Sequence, residues 1–396
     1  MAGPLEGIRV TDLTRILAGP YCTMMLADMG ADVIKIENPV GGDDTRAWGP
    51  PFLNGVSTYY LSINRNKRSL TLNLKHARGK EILAGIIRRS DVVVENFRPG
   101  TLEKLGFPWE EIHRLNPRTV FTSVSGFGQT GPRAAEPGFD IVAQGEGGLM
   151  SITGEPDGPP TKVGASIADI VAGMLAAQGT VLALLAREKS GVGQRVDVAL
   201  LDGQVALLAY HANNYFATCK TSPRRGNRHP SITPYETYRC KDGYFNLGVA
   251  TDALWRCFCD TMGLGDIAAD LRFAANADRV RNREALEEIL NPFFAAREVG
   301  PTIETIQKAG IPCGPINDVA QVFSDPQVLA REMAVEVDPP LAGPTKVTGV
   351  PIKMSANPGD IRLPPPSLGQ HTDEILGNLL GLSAAERKEV REQGAV

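Results

Sequence analysis

Apolar and polar positions along the first 125 residues fall into two alternating patterns. Short, nearly continuous apolar runs predict buried β-strands, and segments with apolar residues at helical spacing predict α-helices. Strands that alternate with helices form a parallel sheet covered by helices, so we predict an α/β fold. The predicted strands are residues 8–13, 32–37, 68–74, 91–96 and 119–124, with helices at 21–29 and 75–89.

The most apolar segment of the chain, residues 167–186, reads IADIVAGMLAAQGTVLALLA and predicts one long helix. It is long enough for a membrane span. However, it contains Asp169 and Gln178 and is rich in Ala and Gly, which let neighbouring elements approach closely. We therefore interpret it as a helix packed in a protein core, and expect no membrane partner. A strand at 195–199 and a helix at 200–216 follow.

A second domain is predicted after residues 220–233, where Pro, Gly and Ser are dense. Strands at 235–240 and 244–249 flank Lys-Asp-Gly, which is typical of a hairpin, and helices are predicted at 253–262, 283–294 and 301–309. The predicted organisation is a large domain over 1–200, a linker over 201–230, a small α+β domain over 231–330 and a return linker over 331–364.

Composition narrows the classes of function. The chain has 396 residues, of which 42% are apolar and 22% charged, with a formal net charge of -4. No run of Lys and Arg occurs, so nucleic acid is not an expected partner. The six cysteines form no CxxC pair, and the N-terminus lacks the pattern of a signal peptide. We expect a cytoplasmic protein without a metal site.

Common catalytic signatures do not occur: there is no Walker loop, HExxH or GxSxG, and none of the five histidines has metal-ligand spacing. The Gly-rich match GVGQR (191–195) precedes a strand and is interpreted as a turn. The remaining candidate is Asp169, in the first turn of the apolar helix. It either caps the helix or complements its dipole, or it is a nucleophilic carboxylate held where the core meets a cleft.

Nine further stretches, together with the Asp169 helix, carry a family resemblance. They are LEGIRVTDLTRILAGP (5–20), GADVIKIENPVGGDDTR (30–46), NRNKRSLTLNLK (64–75), ENFRPGTLEKLG (95–106), SGFGQTGP (125–132), PGFDIVAQGEGGLM (137–150), KSGVGQRVDVALLD (189–202), GIPCGPIN (310–317) and LGQHTDEIL (368–376). Nearly end to end, the chain resembles the class III CoA transferases, the family of formyl-CoA transferase, carnitine CoA transferase and alpha-methylacyl-CoA racemase. GDDTRAWGPPF (42–52), STYYLSINRNKRS (57–69) and HPSITPYETY (229–238) are most similar to the branch acting on dicarboxylic acids, such as succinate–hydroxymethylglutarate (glutarate) CoA transferase.

This resemblance implies a Rossmann-like large domain, completed by about residues 365–396, and an interlocked homodimer in which each chain threads through the other. The family's catalytic aspartate falls on Asp169. Coenzyme A contacts carry over to Ile16, Leu17, Ala18, Asn38, Leu72, Asn73, Lys75, Asn96, Phe97, Arg98 and Lys104. The three cations suit the polyanionic coenzyme, because charge-assisted hydrogen bonds are strong. Asn38 and Leu17 depart from the arginine and glutamine of formyl-CoA transferase, and that enzyme's glycine-rich flap is not apparent.

The implied reaction moves CoA from an acyl-CoA, expected to be succinyl-CoA, to a carboxylic acid, expected to be a dicarboxylate. It passes through an anhydride and then a CoA thioester on Asp169, with no permanently bound cofactor. Expected acceptor contacts are Arg46, Phe139, Asp140 and His229, with Arg224, Arg225 and Arg228 as further cations in loops.

Two alternatives stay open. The racemases of 2-methylacyl-CoA place a histidine where this chain has Phe139, which cannot transfer a proton. The other is an acyl-CoA binding protein that has lost its activity.

Overall fold

The computed structural model of the protein describes residues 3–396, which form two compact units. The first unit comprises the chain up to Leu149, Val163–Asn213 and Pro326–Val396, and the second comprises Met150–Lys162 and Asn214–Asp325. These units divide the chain differently from the predicted organisation. Residues 150–162, assigned to the large domain, group with the second unit. Residues 201–213 and 331–364, assigned to linkers, and 326–330, assigned to the small domain, group with the first unit, whereas 214–230 of the first linker group with the second.

Strands account for one sheet in the first unit, one in the second and two short hairpins. They are β1 (Arg9–Asp12), β2 (Asp32–Glu37), β3 (Phe52–Leu53), β4 (Val56–Ser57), β5 (Lys67–Thr71), β6 (Val92–Glu95), β7 (Val120–Ser125), β8 (Arg195–Ala199), β9 (Tyr235–Arg239), β10 (Tyr244–Gly248), β11 (Cys313–Pro315), β12 (Ala334–Val337) and β13 (Thr345–Thr348). The prediction of a parallel sheet is confirmed, although β5 ends at Thr71 and leaves residues 72–74 in a loop.

Helices make up most of the remainder. They are α1 (Ala18–Asp28), α2 (Thr58–Ile63), α3 (Ala77–Ile87), α4 (Thr101–Lys104), α5 (Trp109–Leu115), α6 (Asp140–Glu146), α7 (Leu149–Ile152), α8 (Ile167–Ser190), α9 (Leu200–Leu207), α10 (Ala209–Thr218), α11 (Asp252–Met262), α12 (Gly265–Ala269), α13 (Asn276–Arg281), α14 (Arg283–Ala295), α15 (Val299–Lys308), α16 (Val319–Val322), α17 (Pro326–Ala330), α18 (Thr372–Glu374) and α19 (Ala384–Glu392). The prediction of a single helix over 200–216 is wrong, because the helix is interrupted between α9 and α10, where Ala209 has φ of 41°.

The central sheet of the first unit has six parallel strands in the order β5-β2-β1-β6-β7-β8. Counted along the chain, this is the 3-2-1-4-5-6 order of doubly wound dinucleotide folds. The direction of winding reverses between β1 and β6. Ligands of such sheets bind outside the carboxyl ends of the strands at this reversal, so the fold itself indicates where to look for a site.

Both faces of this sheet are covered, because alternate residues of each strand point to opposite sides. Val92 and Val94 belong to a core with residues of α1 and α8, whereas Val93 belongs to a second core with residues of α3 and α5. The C-terminal residues Ile375 and Val390 complete the second core. The near-continuous apolar strands in the sequence reflect this two-sided burial.

The C-terminal segment also runs beside β5, which is the last strand at its end of the sheet. Ser69 N–H donates to His371 Nδ1 over 3.2 Å, and His371 N–H donates to the Ser69 carbonyl over 2.9 Å. Thr71 N–H donates to Thr372 Oγ1 over 3.2 Å. The outer edge of β5 is therefore hydrogen-bonded to the chain's own C-terminal segment.

Helix α8 extends four residues beyond its predicted end, to Ser190, and is followed by Gly191, whose φ of 74° is the left-handed conformation that favours glycine. Small residues face α1. A Cβ placed on Gly173 would lie 2.7 Å from the Ala18 carbonyl oxygen, so the two helices meet almost backbone to backbone. Among residues 3–396, α8 is also the one helix long and apolar enough to cross a membrane, and less than half of its apolar stretch is buried.

The second unit has a three-stranded antiparallel sheet in the order β11-β10-β9. Its strands β9 and β10 form the predicted hairpin. Trp255, Phe258, Phe245 and Phe294 form its core with residues of α14 and α15. This is the α+β organisation that the sequence predicts for the region after residue 230.

Candidate active site

A cavity of about 580 Å³ opens at the carboxyl ends of β1, β2, β5 and β6, which is the position where sheets of this order bind ligands. The loops that follow these strands form its walls. Five of the predicted coenzyme A contacts line this cavity: Asn38, Leu72, Asn73, Lys75 and Phe97. The structure therefore brings together side chains that lie up to 59 positions apart in the sequence, as the residue numbers of Asn38 and Phe97 show.

The other predicted contacts are placed differently. Leu17 and Ala18 are buried at the start of α1, and Arg98 and Lys104 are exposed and do not line the cavity. Asn96 has its amide engaged: Oδ1 accepts from Arg15 N–H over 2.8 Å, and Nδ2 donates to the Arg15 carbonyl over 2.7 Å. This geometry gives Asn96 a role in holding the preceding loop.

Asp169 lies in the first turn of α8 and is partly buried. None of residues 3–396 donates a hydrogen bond to its carboxylate, which distinguishes it from the other partly buried carboxylates of this unit. Burial raises the pKa of Asp169, the negative charge of Asp140 raises it further, and the resulting pKa is about 7. Both the protonated and the ionised form of Asp169 are therefore accessible near neutral pH.

The cap of α8 comes from Asp140, not from Asp169. Asp140 Oδ1 accepts from Ala168 N–H over 2.8 Å, and its Oδ2 accepts from Gln144 Nε2 over 2.8 Å. Gln144 Oε1 in turn accepts from Val163 N–H over 2.9 Å. The capping interpretation considered for Asp169 is thus wrong, because Asp140 on α6 performs that task and leaves the Asp169 carboxylate available.

Two aromatic residues that the sequence did not single out belong to this site. Burial together with the charges of Asp169, Asp140 and Asp43 raises the pKa of the Tyr59 phenol to about 12, so it stays a hydroxyl donor at neutral pH. The ring of Trp48, which lines the cavity, meets the Tyr59 ring edge-on with centroids 5.2 Å apart. Ile170 and Tyr59 pack against the same small buried cluster of Leu17, Met24 and Ile63.

Of the predicted acceptor contacts, Arg46 is already paired. Its guanidinium donates to both oxygens of Glu37 over 2.8 and 2.7 Å and to the Tyr60 hydroxyl over 2.6 Å. It also lies 3.7 Å from the centre of the Tyr60 ring. A bidentate ion pair that is mostly buried leaves little of this guanidinium for a substrate carboxylate, so the geometry favours a structural role for Arg46.

Phe139 directly precedes α6 and is 59% exposed in the isolated chain. His229 lies in the second unit, where its Nδ1 accepts from Ser231 N–H over 3.1 Å and its carbonyl accepts from Arg283. Arg224 and Arg228 are also engaged there: Arg224 donates to the Glu155 carbonyl, and Arg228 pairs with Glu287 over 2.7 Å.

No group of three or more His, Cys, Asp or Glu residues that could hold a metal ion occurs within residues 3–396. The region combines the partly buried carboxylate of Asp169, the Tyr59 phenol that this charge influences, and a cavity whose lining residues do not include Asp169. A carboxylate with a pKa near 7 is suited to nucleophilic or acid–base work.

Sequence comparison identifies the class of protein to which this fold and site belong. The chain is a member of CoA-transferase family III, whose sequence profile matches residues 5–372. It is 43% identical over 384 residues to the succinate–glutarate CoA-transferase of Agrobacterium fabrum, covering 95% of this chain and 96% of that protein. It is 41% identical over 377 residues to the succinyl-CoA:glutarate CoA-transferase of Mus musculus, covering 95% and 86%.

Solved structures agree. A CAIB/BAIF family protein from Brucella suis superimposes with a TM-score of 0.85 at 40% identity, covering 96% of this chain and all of that one. The prediction of a CoA-transferase is confirmed.

Replacing Asp140 by asparagine should move the pH dependence of this CoA-transferase toward acid. Asparagine can still accept from Ala168 N–H, but it removes the charge that raises the pKa of Asp169. If ionised Asp169 is the reactive form, the midpoint of kcat/KM against pH should fall by about 0.5–1 pH unit. Profiles from pH 5 to 9 would measure it. Glu146→Gln, which removes an acidic residue of the same helix that is paired with Arg133, is the control and should leave the midpoint unchanged. An unshifted midpoint in Asp140→Asn would contradict this account.

Proposed function

We propose that this protein transfers CoA from a dicarboxylic acyl-CoA, such as succinyl-CoA, to a dicarboxylate acceptor through covalent intermediates on Asp169. The observation that carries the proposal is the Asp169 carboxylate: it lies at the N-terminus of α8, partly buried, with no hydrogen-bond donor among residues 3–396 to hold it. A carboxylate that is desolvated and not hydrogen-bonded is a better nucleophile than one in water.

The proposed reaction begins when an oxygen of Asp169 attacks the thioester carbonyl carbon. The carbon–sulfur bond breaks, CoA leaves as the thiolate, and a mixed anhydride joins Asp169 to the donor acid. The thiolate then attacks the Asp169 carbonyl carbon, which releases the donor carboxylate and forms an aspartyl-CoA thioester. The acceptor carboxylate attacks this thioester, which expels the CoA thiolate and forms a second anhydride between the acceptor and Asp169. The thiolate then attacks the acceptor's carbonyl carbon in that anhydride, which releases acceptor-CoA and free Asp169. Each step exchanges one acyl bond for another, so no ATP is consumed.

Several residues of the chain would support these steps. The N-terminal end of α8 carries a partial positive charge that favours the ionised nucleophile, in opposition to the burial and the Asp140 charge that raise its pKa. The Tyr59 hydroxyl, protonated at neutral pH, is within electrostatic reach of Asp169 and can donate to a developing oxyanion. The cavity at the carboxyl ends of the strands would hold the coenzyme, with the Lys75 ammonium facing its phosphates.

The acceptor class is supported by the relatives. Besides the two glutarate enzymes, a protein of Chloroflexus aurantiacus that is 38% identical over 385 residues is a succinyl-CoA–D-citramalate CoA-transferase. All three names pair succinate or succinyl-CoA with a second dicarboxylic acid. This supports a dicarboxylate acceptor here.

A screen of acceptors tests the proposed function. Succinyl-CoA is incubated with the enzyme and either a C4–C6 dicarboxylate or a monocarboxylate of equal length, and the new thioester is measured by mass spectrometry. At least one dicarboxylate should react faster than its monocarboxylate counterpart. Reaction of the monocarboxylates alone would overturn the dicarboxylate assignment. Deuterium uptake from D₂O at the α-carbon of 2-methylacyl-CoA, without CoA transfer, would favour the racemase alternative.

We also propose that the chain forms the interlocked homodimer of its family. Several large apolar side chains of α6, α8 and α9 are exposed in the isolated chain, among them Ile141, Leu182, Leu185 and Val205, with Leu182 57% and Leu185 59% exposed. Exposed apolar surface on three helices that contact one another is typical of a protein interface, and it offers a reason for the apolar stretch of α8 other than a membrane. Sedimentation velocity at micromolar concentration should give twice the mass of the chain, and a monomer would contradict the proposal.

A cytoplasmic location is part of the same proposal. All six cysteines are free thiols, which suits a reducing compartment. Fractionation of cells with an antibody to the protein tests it, and recovery in a membrane or secreted fraction would contradict it.

A further inference from the structure

Two lysines lie where a lysine is least expected, inside the parallel sheet. Lys35 on β2 and Lys67 on β5 are both 0% exposed. A buried ion pair is often no more stable than apolar residues of the same size, because both charges lose their hydration. Stability therefore gives no sufficient reason for these two side chains, and their contacts must be considered instead.

Lys35 reaches the beginning of residues 14–20, here called the 14–20 loop, which comprise the connection that follows β1 and the first residues of α1. Its Nζ donates to Asp43 Oδ2 over 2.8 Å and to the Thr14 carbonyl over 3.0 Å. The other oxygen of Asp43 accepts from Ile16 N–H over 3.2 Å. The ion pair thus holds the loop at two successive points, one through a carbonyl and one through an amide.

Lys67 reaches the end of the same loop. Its Nζ donates to the Pro20 carbonyl over 3.0 Å, to Asp12 Oδ2 over 3.1 Å and to Asn64 Oδ1 over 3.1 Å. Asp12 also accepts from Thr14 N–H over 2.9 Å. Each end of the 14–20 loop is therefore hydrogen-bonded to a buried ammonium group.

The backbone of the 14–20 loop is strained at Ile16. Ile16 has φ of 70°, and a β-branched residue is rarely found in this left-handed region. The amide of Asn96 bonds to both backbone groups of Arg15, next to Ile16. Such a strained residue persists only where its surroundings over-determine it, and here Asp43, Lys35 and Asn96 do so.

What the loop supports is the nucleophile helix. Ala18, directly after the strained segment, has its carbonyl oxygen against Gly173 of α8, one helical turn beyond Asp169. Ile16 also packs against the same buried cluster as Ile170, the residue after Asp169. Any displacement of the 14–20 loop would therefore reach the first turn of α8.

We propose that the buried Lys35–Asp43 and Lys67–Asp12 pairs are positioning residues, which fix the 14–20 loop in its strained conformation against the first turns of α8. Lys35 and Asp43 border the cavity assigned to the coenzyme, but both side chains are fully buried and paired with each other, and Lys67 and Asp12 do not line that cavity. The charge of each lysine is needed for positioning, because an ammonium group can donate to a carboxylate and to a backbone carbonyl at the same time, which an apolar side chain cannot do. This inference rests on the proposed role of Asp169.

The test uses a double variant, Lys35→Met/Asp43→Asn, because removing one partner alone would leave a buried charge unpaired. The matched control is Arg65→Met/Asp28→Asn, a second buried ion pair of the same unit that makes no hydrogen bond to residues 14–20. Hydrogen exchange of the amides of residues 15–19 is measured without acyl-CoA. The second quantity is kcat/KM for CoA transfer, measured with acyl-CoA.

In Lys35→Met/Asp43→Asn, exchange at residues 15–19 should accelerate about tenfold or more, and kcat/KM should fall by roughly 10- to 100-fold, the size expected from loss of charge-assisted hydrogen bonds. In the control, both quantities should stay within about threefold of wild type, whatever its thermal stability. Wild-type exchange and activity in the double variant, with a wild type that becomes acylated on Asp169, would overturn the positioning role.

A wild type that is never acylated would instead overturn the proposed function. If Lys35→Met/Asp43→Asn does not fold, Asn96→Ala provides the same measurement from a half-buried anchor. It should accelerate exchange at residues 15–19 several-fold in the absence of coenzyme, which loss of a coenzyme contact alone would not do. Unchanged exchange in that variant would equally overturn the proposal.

Discussion

Replacement of Asp169 by asparagine is expected to lower the rate of CoA transfer by at least about a thousandfold, because the amide cannot form the anhydride. The variant should keep its fold, since the Asp169 side chain makes no hydrogen bond that holds α8 and the cap is supplied by Asp140. Binding of acyl-CoA should therefore persist while turnover is lost.

Mass spectrometry of the intact protein during turnover gives the decisive measurement. Wild type should show an adduct that hydroxylamine removes, and peptide analysis should place the resulting hydroxamate on Asp169. Asp140→Asn is the matched control, because it neutralises the adjacent carboxylate but should still be acylated. Full exchange activity in Asp169→Asn, or an adduct on another residue, would refute the assignment.

The same substitution has an effect on stability that depends on pH. The pKa of Asp169 is about 7 in the folded protein and near its ordinary 3.8 when unfolded, so the folded state binds the proton more tightly. Ionised Asp169 consequently destabilises the fold above pH 7, and this cost fades as the pH falls through 7 toward 4. We expect Asp169→Asn to raise the free energy of unfolding by about 1–3 kcal/mol at pH 8 and by much less at pH 5.

Substitution of Gly173 by alanine is expected to disturb both stability and activity, because its Cβ would lie 2.7 Å from the backbone carbonyl oxygen of Ala18. Gly179→Ala on the same helix is the matched control, because there the Cβ would lie 2.7 Å from the Val196 Cγ1 methyl, which belongs to a side chain that can turn away, whereas the Ala18 carbonyl is backbone. Both variants gain the same helix propensity, so their difference compares a clash with backbone against a clash with a side chain. Gly173→Ala should be less stable by about 1–3 kcal/mol.

Urea unfolding of the two variants measures that difference, and steady-state kinetics measure its consequence. Since Ala18 lies opposite the turn that follows Asp169, kcat/KM should fall about tenfold or more in Gly173→Ala, but not in Gly179→Ala. Equal stability and equal activity of the two variants would show that α1 and α8 can separate without harm to the site.

The sheet could be predicted from the sequence because burial on both faces leaves an unmistakable apolar run in strands such as Val92–Glu95. Helix α6 was missed because Gly145 and Gly147 weaken its pattern, although this helix supplies Asp140 to the cap of α8. The interruption of the helix at Ala209 likewise has no local signal, because Leu200 to Thr218 contains enough apolar residues to suggest one helix.

The site could be predicted only in part. Residues of the cavity wall, such as Asn38 and Lys75, follow strands and could be placed from the family's pattern. Which charges are buried could not. Lys35 interrupts the apolar strand DVIKIE, and that interruption is the signal that was available, but its partner Asp43 is defined only once the 38–43 turn is folded. Arg46 likewise resembles a free loop cation in the sequence, because its partners Glu37 and Tyr60 approach it only in the folded chain.

The pairing of the C-terminal segment with β5 also bears on how the protein behaves in concentrated solution. An open sheet offers unpaired amides and carbonyls at its rim, and these are the usual starting points of intermolecular β-aggregation. Here His371 and Thr372 occupy those groups at the rim of β5. The chain thereby blocks its own polymerisation at that rim without adding a seventh strand.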